Sequence, residues 1–369
     1  MRGFFKYYIF IFITMLILFN PQSTILYAKS GMFLCSEVLI PSLFPFFICS
    51  GLLIYSGFCN SISTFLGPVM RPLFNIGGSG AAAFLLGTVS GYPLGASCAC
   101  NLYDSGYLSK AECERLLAFC NNSGPLFILG SVGTAIFHSP KSGIILYTSH
   151  IISAFLVGIL FRFYKKGDIT SCDIPIYNQK LSSAEVFQKA LNSSLNSILT
   201  VSGAVIFFSV ISNIIADYFT DGSVIKAVII AASEITSGIS LISYLPIPLE
   251  LKLIMSAFCA GFAGLCVHLQ VMGTVAGRGL SLKPYISGKC LHAILSGLFT
   301  ALFLKLFPIT QTVFAPDSVG SFDDKLSGAF FAGALYVTSG ITILLLLAGI
   351  FLLSRKAISL VKPKVSQSS

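Results

Sequence analysis

Four short stretches place polar and helix-breaking residues where long apolar runs surround them. "NNSGP" at 121–125 sets Asn121 and Asn122 side by side, followed by Ser123, Gly124 and Pro125. The two amides present donors and acceptors, and Pro125 lacks an N–H and frees a carbonyl one turn earlier. "SGYPLG" at 90–95 combines Ser90, Gly91, Tyr92 and Gly95 around a proline. "SEITSG" at 233–238 buries Glu234 in an apolar run beside Thr236 and Ser237, and "GFAGLCVHLQ" at 261–270 carries Gly264, His268 and Gln270. The chemistry on offer is recognition of a small polar or anionic molecule: amides, hydroxyls and freed backbone N–H groups, with no nucleophile–base pair.

These stretches need a scaffold that tolerates them. In lipid an unpaired backbone group costs several kcal/mol, so a helix is interrupted only where protein or water satisfies the freed groups. A broken helix exposes N–H donors and a positive dipole end. Transporters build midplane sites from such discontinuous helices at corresponding positions of two repeats. Packing is the competing explanation, because Gly87, Gly91 and Gly95 follow a small-xxx-small spacing. Glu234 has two readings, a coupling site for a proton or cation, or a carboxylate paired inside the protein. Under the first, Glu234→Gln abolishes coupling and leaves folding intact. His268 and Gln270 either touch substrate or are satisfied internally, while Lys289 and His292, near a span end, are expected at the interface.

The elements follow from composition. The chain has 369 residues, 55% hydrophobic and only 10% charged, far below the roughly quarter charged of soluble domains. The fold class is all-α, a polytopic membrane helical bundle. Ten apolar segments of membrane length are expected near 6–26, 33–57, 77–100, 116–138, 142–164, 191–216, 223–243, 250–275, 286–307 and 329–353. The organisation is an N-terminal signal-anchor helix (1–30), a first repeat (31–164), a hydrophilic connection (165–190), a second repeat (191–307), an acidic loop (308–328), and a C-terminal helix with a basic tail (329–369). An uncleaved anchor is favoured over a signal peptide.

Two weak internal matches suggest duplication: "SLFPFFICSG" (42–51) with "SLNSILTVSG" (194–203), and 106–124 with 279–297. The second sets Gly91 opposite Gly264. Basic residues at both termini place them in the cytoplasm. Charge placement favours re-entrant hairpins at 77–100 and 250–275, whereas an inverted repeat favours full crossing.

The net charge of +9 is spread over short loops, which marks orientation rather than nucleic-acid binding. Eleven cysteines lie mostly in apolar segments without CxxC spacing, and the four histidines are far apart in sequence. Neither a disulfide framework nor a metal site is expected. No P-loop is present, and no cofactor or enzymatic activity is expected.

Together "PSLFPFFI" (41–48), "SGYPLGA" (90–96), "NNSGPLFILGSVG" (121–133), "SEITSG" and "GFAGLCVHLQ" resemble the YlbJ-type sporulation integral membrane proteins, also called SpoVV. These carry the Gate domain shared with nucleoside transporters. The resemblance spans roughly residues 33–307. The family pattern has a Gly-Gly-Leu or Gly-Gly-Phe run where this chain has Ala263-Gly264-Leu265. The resemblance implies passage of dipicolinate, a planar aromatic dianion, across the outer forespore membrane, with a homo-oligomer or other sporulation membrane proteins as partners. Tyr92 would then stack on its ring. A nucleoside substrate and a non-transporting scaffold in spore assembly are the alternatives.

Overall fold

The computed structural model describes residues 2–167 and 181–309. Most of the 308–328 loop, the 329–369 helix and tail, and much of the hydrophilic connection lie outside the described residues. Among the described residues all regular structure is helical, consistent with a helical membrane bundle.

Near the N-terminus, α1 (Arg2–Phe19) and α2 (Pro21–Leu34) meet at Asn20–Pro21 with a bend of 99°. The proline cannot donate into α1, so the expected first span is bent. α2 continues through a π segment (Cys35–Leu39) into α3 (Ile40–Tyr55). α4 (Phe58–Phe74), where no helix was expected, buries Met70 and Phe74 on one face.

Break residues then divide the rest of the first half. α5 (Gly80–Val89) and α6 (Leu94–Asp104) flank Ser90–Pro93 and pack on each other as a helical hairpin. Gly91 has φ +84° at its tip, a conformation that glycine adopts without strain. α7 (Lys110–Leu117), started by a Ser109/Glu112 capping box, gives way at 118–124 to a π segment (Leu126–Ile136). α8 (Pro140–Phe161) returns.

The second half repeats this order. α9 (Ser183–Ala216) precedes a hairpin of α10 (Val224–Ser233) and α11 (Ile235–Tyr244), whose tip is Glu234. The expected single span at 223–243 is therefore two short helices folded back on each other. α12 (Leu249–Phe262) and α13 (Gly264–Val275) form one interrupted helix run of 27 residues, long and apolar enough to span, rather than two arms folded on each other. The last described helix is α14 (Lys283–Leu306).

Ser90–Pro93 and Glu234 are both hairpin tips, and 118–124 and Ala263–Gly264 are both interruptions between helical segments. The alignment pairing Gly91 with Gly264 joins a hairpin tip to a broken helix. Among the described residues four helices are long and apolar enough to span, α8, α9, α12–α13 and α14, and the bent α1–α2 pair makes a fifth if it counts as one span. Of the ten membrane-length segments expected, 329–353 lies outside the described residues, and 77–100 and 223–243 are each two short helices rather than one.

Side-chain ties fix the helix directions. Arg115 Nη1 donates to the carbonyls of Tyr164 and Lys165, each at 2.8 Å. The Glu114 carboxylate accepts from Lys165 Nζ at 2.8 Å and from Ser281 N at 2.8 Å. Arg278 pairs with Asp104 at 2.8 Å. Hence the start of α7, the ends of α6, α8 and α13, and the start of α14 share one end of the bundle. Lys141, at the start of α8, donates to the Pro308 carbonyl at 2.8 Å, marking the other end. Lys252 Nζ reaches the Ser243 carbonyl at 2.7 Å, which puts the open end of the second hairpin there too. The two hairpins thus enter from opposite ends.

Candidate functional site

The tips and breaks converge. A Cβ built on Gly91 would lie 3.1 Å from Gly124 N, so the first hairpin tip rests on the first break. One built on Gly264 would lie 3.2 Å from the Ser233 carbonyl, so the second tip rests on the second break. Between these pairs lies a cavity of about 50 Å³. Gly91, Tyr92, Ser123 and Gly124 line it from the first half, with Glu234, Thr236 and Gln270 from the second. Leu39, Leu43, Val201 and Val205, from the α2–α3 run and α9, close it with apolar surface, and Phe127, Ile235, Cys266 and Val267 complete the wall.

Each polar group on the wall has a local cause. Glu234 caps α11: one carboxylate oxygen accepts from Thr236 N at 2.9 Å, the other from Ser237 N at 2.7 Å. Its negative charge sits at the positive end of α11, where it is stabilised. The same contact means the α11 N-terminus is already filled by the protein's own carboxylate. Tyr92 Oη and Ser123 Oγ share a hydrogen bond of 2.5 Å across the first tip and break. Gln270 Nε2 donates to Cys266 Sγ at 3.5 Å, while Gln270 Oε1 is buried without a partner among the described residues. A buried unmet acceptor on a cavity wall invites a donor, from water or solute.

The remaining expected residues support the site from behind. Asn121 and Asn122 are fully buried, and Asn122 Nδ2 donates to the Phe119 carbonyl at 2.9 Å. Ser90 Oγ bonds Ser50 Oγ. Gly87 and Gly95 clasp the Cys120 carbonyl, a packing role. Ser237 contributes its N–H to Glu234, and Gly264 its close approach to Ser233. His268 Nδ1 bonds Tyr285 Oη at 2.9 Å rather than facing the cavity.

Lys289 and His292, expected at an interface, are instead 1% and 0% exposed. They join His150, whose ring lies 4.3 Å from that of His292. Their separation in sequence hid this cluster; the i, i+3 spacing on α14 was the available signal. No group of three His, Cys, Asp or Glu suited to a metal ion occurs among the described residues.

Ala263 explains the departure from the Gly-Gly-Leu pattern. It adopts φ +78°, a left-handed conformation that costs an L-residue roughly 1–2 kcal/mol. Ala263→Gly is expected to raise stability by about 1 kcal/mol, after the entropic cost of glycine. A thermal melt in detergent checks this, and an unchanged or lowered Tm would contradict the strain argument.

Fold and site together define a multi-pass helical membrane protein built on backbone breaks. The Gate family model, described as "Nucleoside recognition", matches residues 37–165, the stretch holding the first hairpin and the first break. The chain is 30% identical over 331 residues to the "Sporulation integral membrane protein YlbJ" of Bacillus subtilis (strain 168), covering 80% of this chain and 81% of that protein. It belongs to the YlbJ family of sporulation integral membrane proteins. No solved structure matches the chain.

Proposed function

We propose that this protein is a secondary transporter or facilitator for a small organic anion, dipicolinate in the outer forespore membrane, with both termini cytoplasmic. The observation that carries the reading is the meeting of two hairpin tips and two helix breaks around one cavity. Interrupted helices are tolerated within a membrane where they line such a site. The repeated element order and the opposed entry of the hairpins support two inverted halves, which supply alternating access.

The cavity is far smaller than the several hundred Å³ of pockets that hold drug-sized ligands. The tips must therefore part to admit substrate. Among the described residues no cationic side chain lines the wall, and Glu234 places a carboxylate on it. An entering dianion therefore needs compensating protons or cations. Glu234 is suited to receive one, although its carboxylate also caps α11.

A nucleoside is the second reading, favoured by a cavity lining without cationic side chains among the described residues and by the description of the matching family model. Proteoliposomes offered dipicolinate or a nucleoside separate the two. Saturable dipicolinate entry, uncompeted by nucleoside, is the expected result. Nucleoside entry alone would replace the substrate. No entry of either by folded protein would leave a scaffold role.

A further inference from the structure

A second polar centre lies behind the first break, outside the cavity. Lys289 Nζ donates to the Asn121 carbonyl at 3.0 Å and lies 3.3 Å from His292 Nδ1. His292 Nε2 is 2.9 Å from the His150 carbonyl. A carbonyl only accepts, so Nε2 carries the His292 proton and Nδ1 is left to accept from the lysine. Ser123 N donates to His150 Nε2 at 3.1 Å, which puts the proton of neutral His150 on Nδ1. That Nδ1 is buried without a partner among the described residues. The backbone thus dictates both tautomers, and Ser123 links the centre to Tyr92 on the cavity wall.

The groups facing Lys289 contain no acid among the described residues. His292 lies on α14, His150 on α8, Cys120 and the Asn121 carbonyl at the break, and His268 on α13. A buried ammonium without a countercharge is costly, and this one meets a backbone carbonyl and an imidazole nitrogen. Ser296 and Thr300 continue the same face of α14 in steps of four, with Ser256 on the adjoining α12. All three hydroxyls are buried without partners among the described residues. Ser296 and Thr300 thus carry the polar face of α14 on beyond His292.

We propose that Lys289, with His292 and His150, forms a proton-binding site tied to the cavity through Ser123. Uptake forms one N–H bond on the lysine amine, and release breaks it. The proton is exchanged with solvent along the Ser296–Thr300 face. Protonation alters the hydrogen bonds on the Asn121 carbonyl and His292, and so the hold on the break at 121–124. The site itself stands on geometry, whereas its coupling to flux rests on the transporter reading.

Two measurements test it. Histidine-labelled protein in nanodiscs is titrated by nuclear magnetic resonance between about pH 5 and 9, following the His150 and His292 ring nitrogens. The expected result is one shared step in the native chain. That step disappears in Lys289→Met and in Lys289→Arg, whose guanidinium keeps a cation that does not release its proton. Ring signals that move identically with and without Lys289 would overturn the proton site. In proteoliposomes an imposed pH gradient is expected to change native flux several-fold and to leave Lys289→Arg flux unchanged. Equal responses would overturn the coupling. No native flux would overturn the transporter reading and the coupling with it, while the titration still decides the proton site.

Discussion

Gly87→Ala and Gly95→Ala are each expected to leave little folded protein. A Cβ on Gly87 would stand 1.8 Å from the Cys120 carbonyl oxygen and 2.8 Å from the Gly95 Cα. One on Gly95 would stand 2.1 Å from the same oxygen and 2.9 Å from the Gly87 Cα. Every obstructing atom is backbone, so no side chain can swing aside. The α5–α6 hairpin would have to open, or the break at 118–124 would have to retreat. Overpacking typically costs about 1–3 kcal/mol, and contacts this short against backbone belong at or above the upper end. Gly203→Ala and Gly273→Ala are the controls, since a Cβ at either meets nothing within 4 Å. Yield and Tm of purified protein provide the comparison. Native-like stability in Gly87→Ala would refute the hairpin contact.

Glu234→Gln is expected to destabilise the protein by about 2–4 kcal/mol. Its two oxygens each accept a backbone N–H at the start of α11 in a site that is 1% exposed. The amide keeps one acceptor and turns an N–H₂ toward the other backbone donor. An unsatisfied buried donor costs about 1–3 kcal/mol. Losing the charge at the helix N-terminus adds about 0.3–1 kcal/mol, more when buried. The expectation from sequence that this variant leaves folding intact is thereby revised. Glu234→Asp should recover much of the loss, because aspartate is among the best helix N-caps. Chemical or thermal unfolding in detergent decides it. A Gln variant as stable as the native chain would show that the cap contributes little.

Much of the site was legible because its residues violate the rules of apolar helices. Pro93, Gly124 and Glu234 each stand where a continuous span would not place them, and all three mark real breaks. Their arrangement was less legible. Two ten-residue helices joined at Glu234 add up to one span in length and hydropathy, so nothing local separates a crossing from a hairpin. Gly and Ser identities were too common to set a pairing of the halves. The His150–Lys289–His292 centre depends on α8 meeting α14, which only the assembled bundle provides. Asn122 Nδ2 satisfies the Phe119 carbonyl at the break, whereas both side-chain polar atoms of Asn121 are buried without a partner among the described residues, a difference that polarity alone does not announce.

The most direct test of the cavity as the transport site is dipicolinate flux through Gln270→Leu, with its Tm measured alongside. Gln270 lines the cavity, and its Oε1 meets no partner among the described residues, so its loss should spare the fold. Gln270 Nε2, held by a weak 3.5 Å bond to Cys266 Sγ, is the group that can donate to a carboxylate. Removing a hydrogen bond to a charged solute costs about 1.5–3 kcal/mol. The expected result is a KM raised roughly tenfold or more with an unchanged Tm. Native flux with a native KM would contradict the account, since the solute would then pass without touching the cavity in which the four breaks meet.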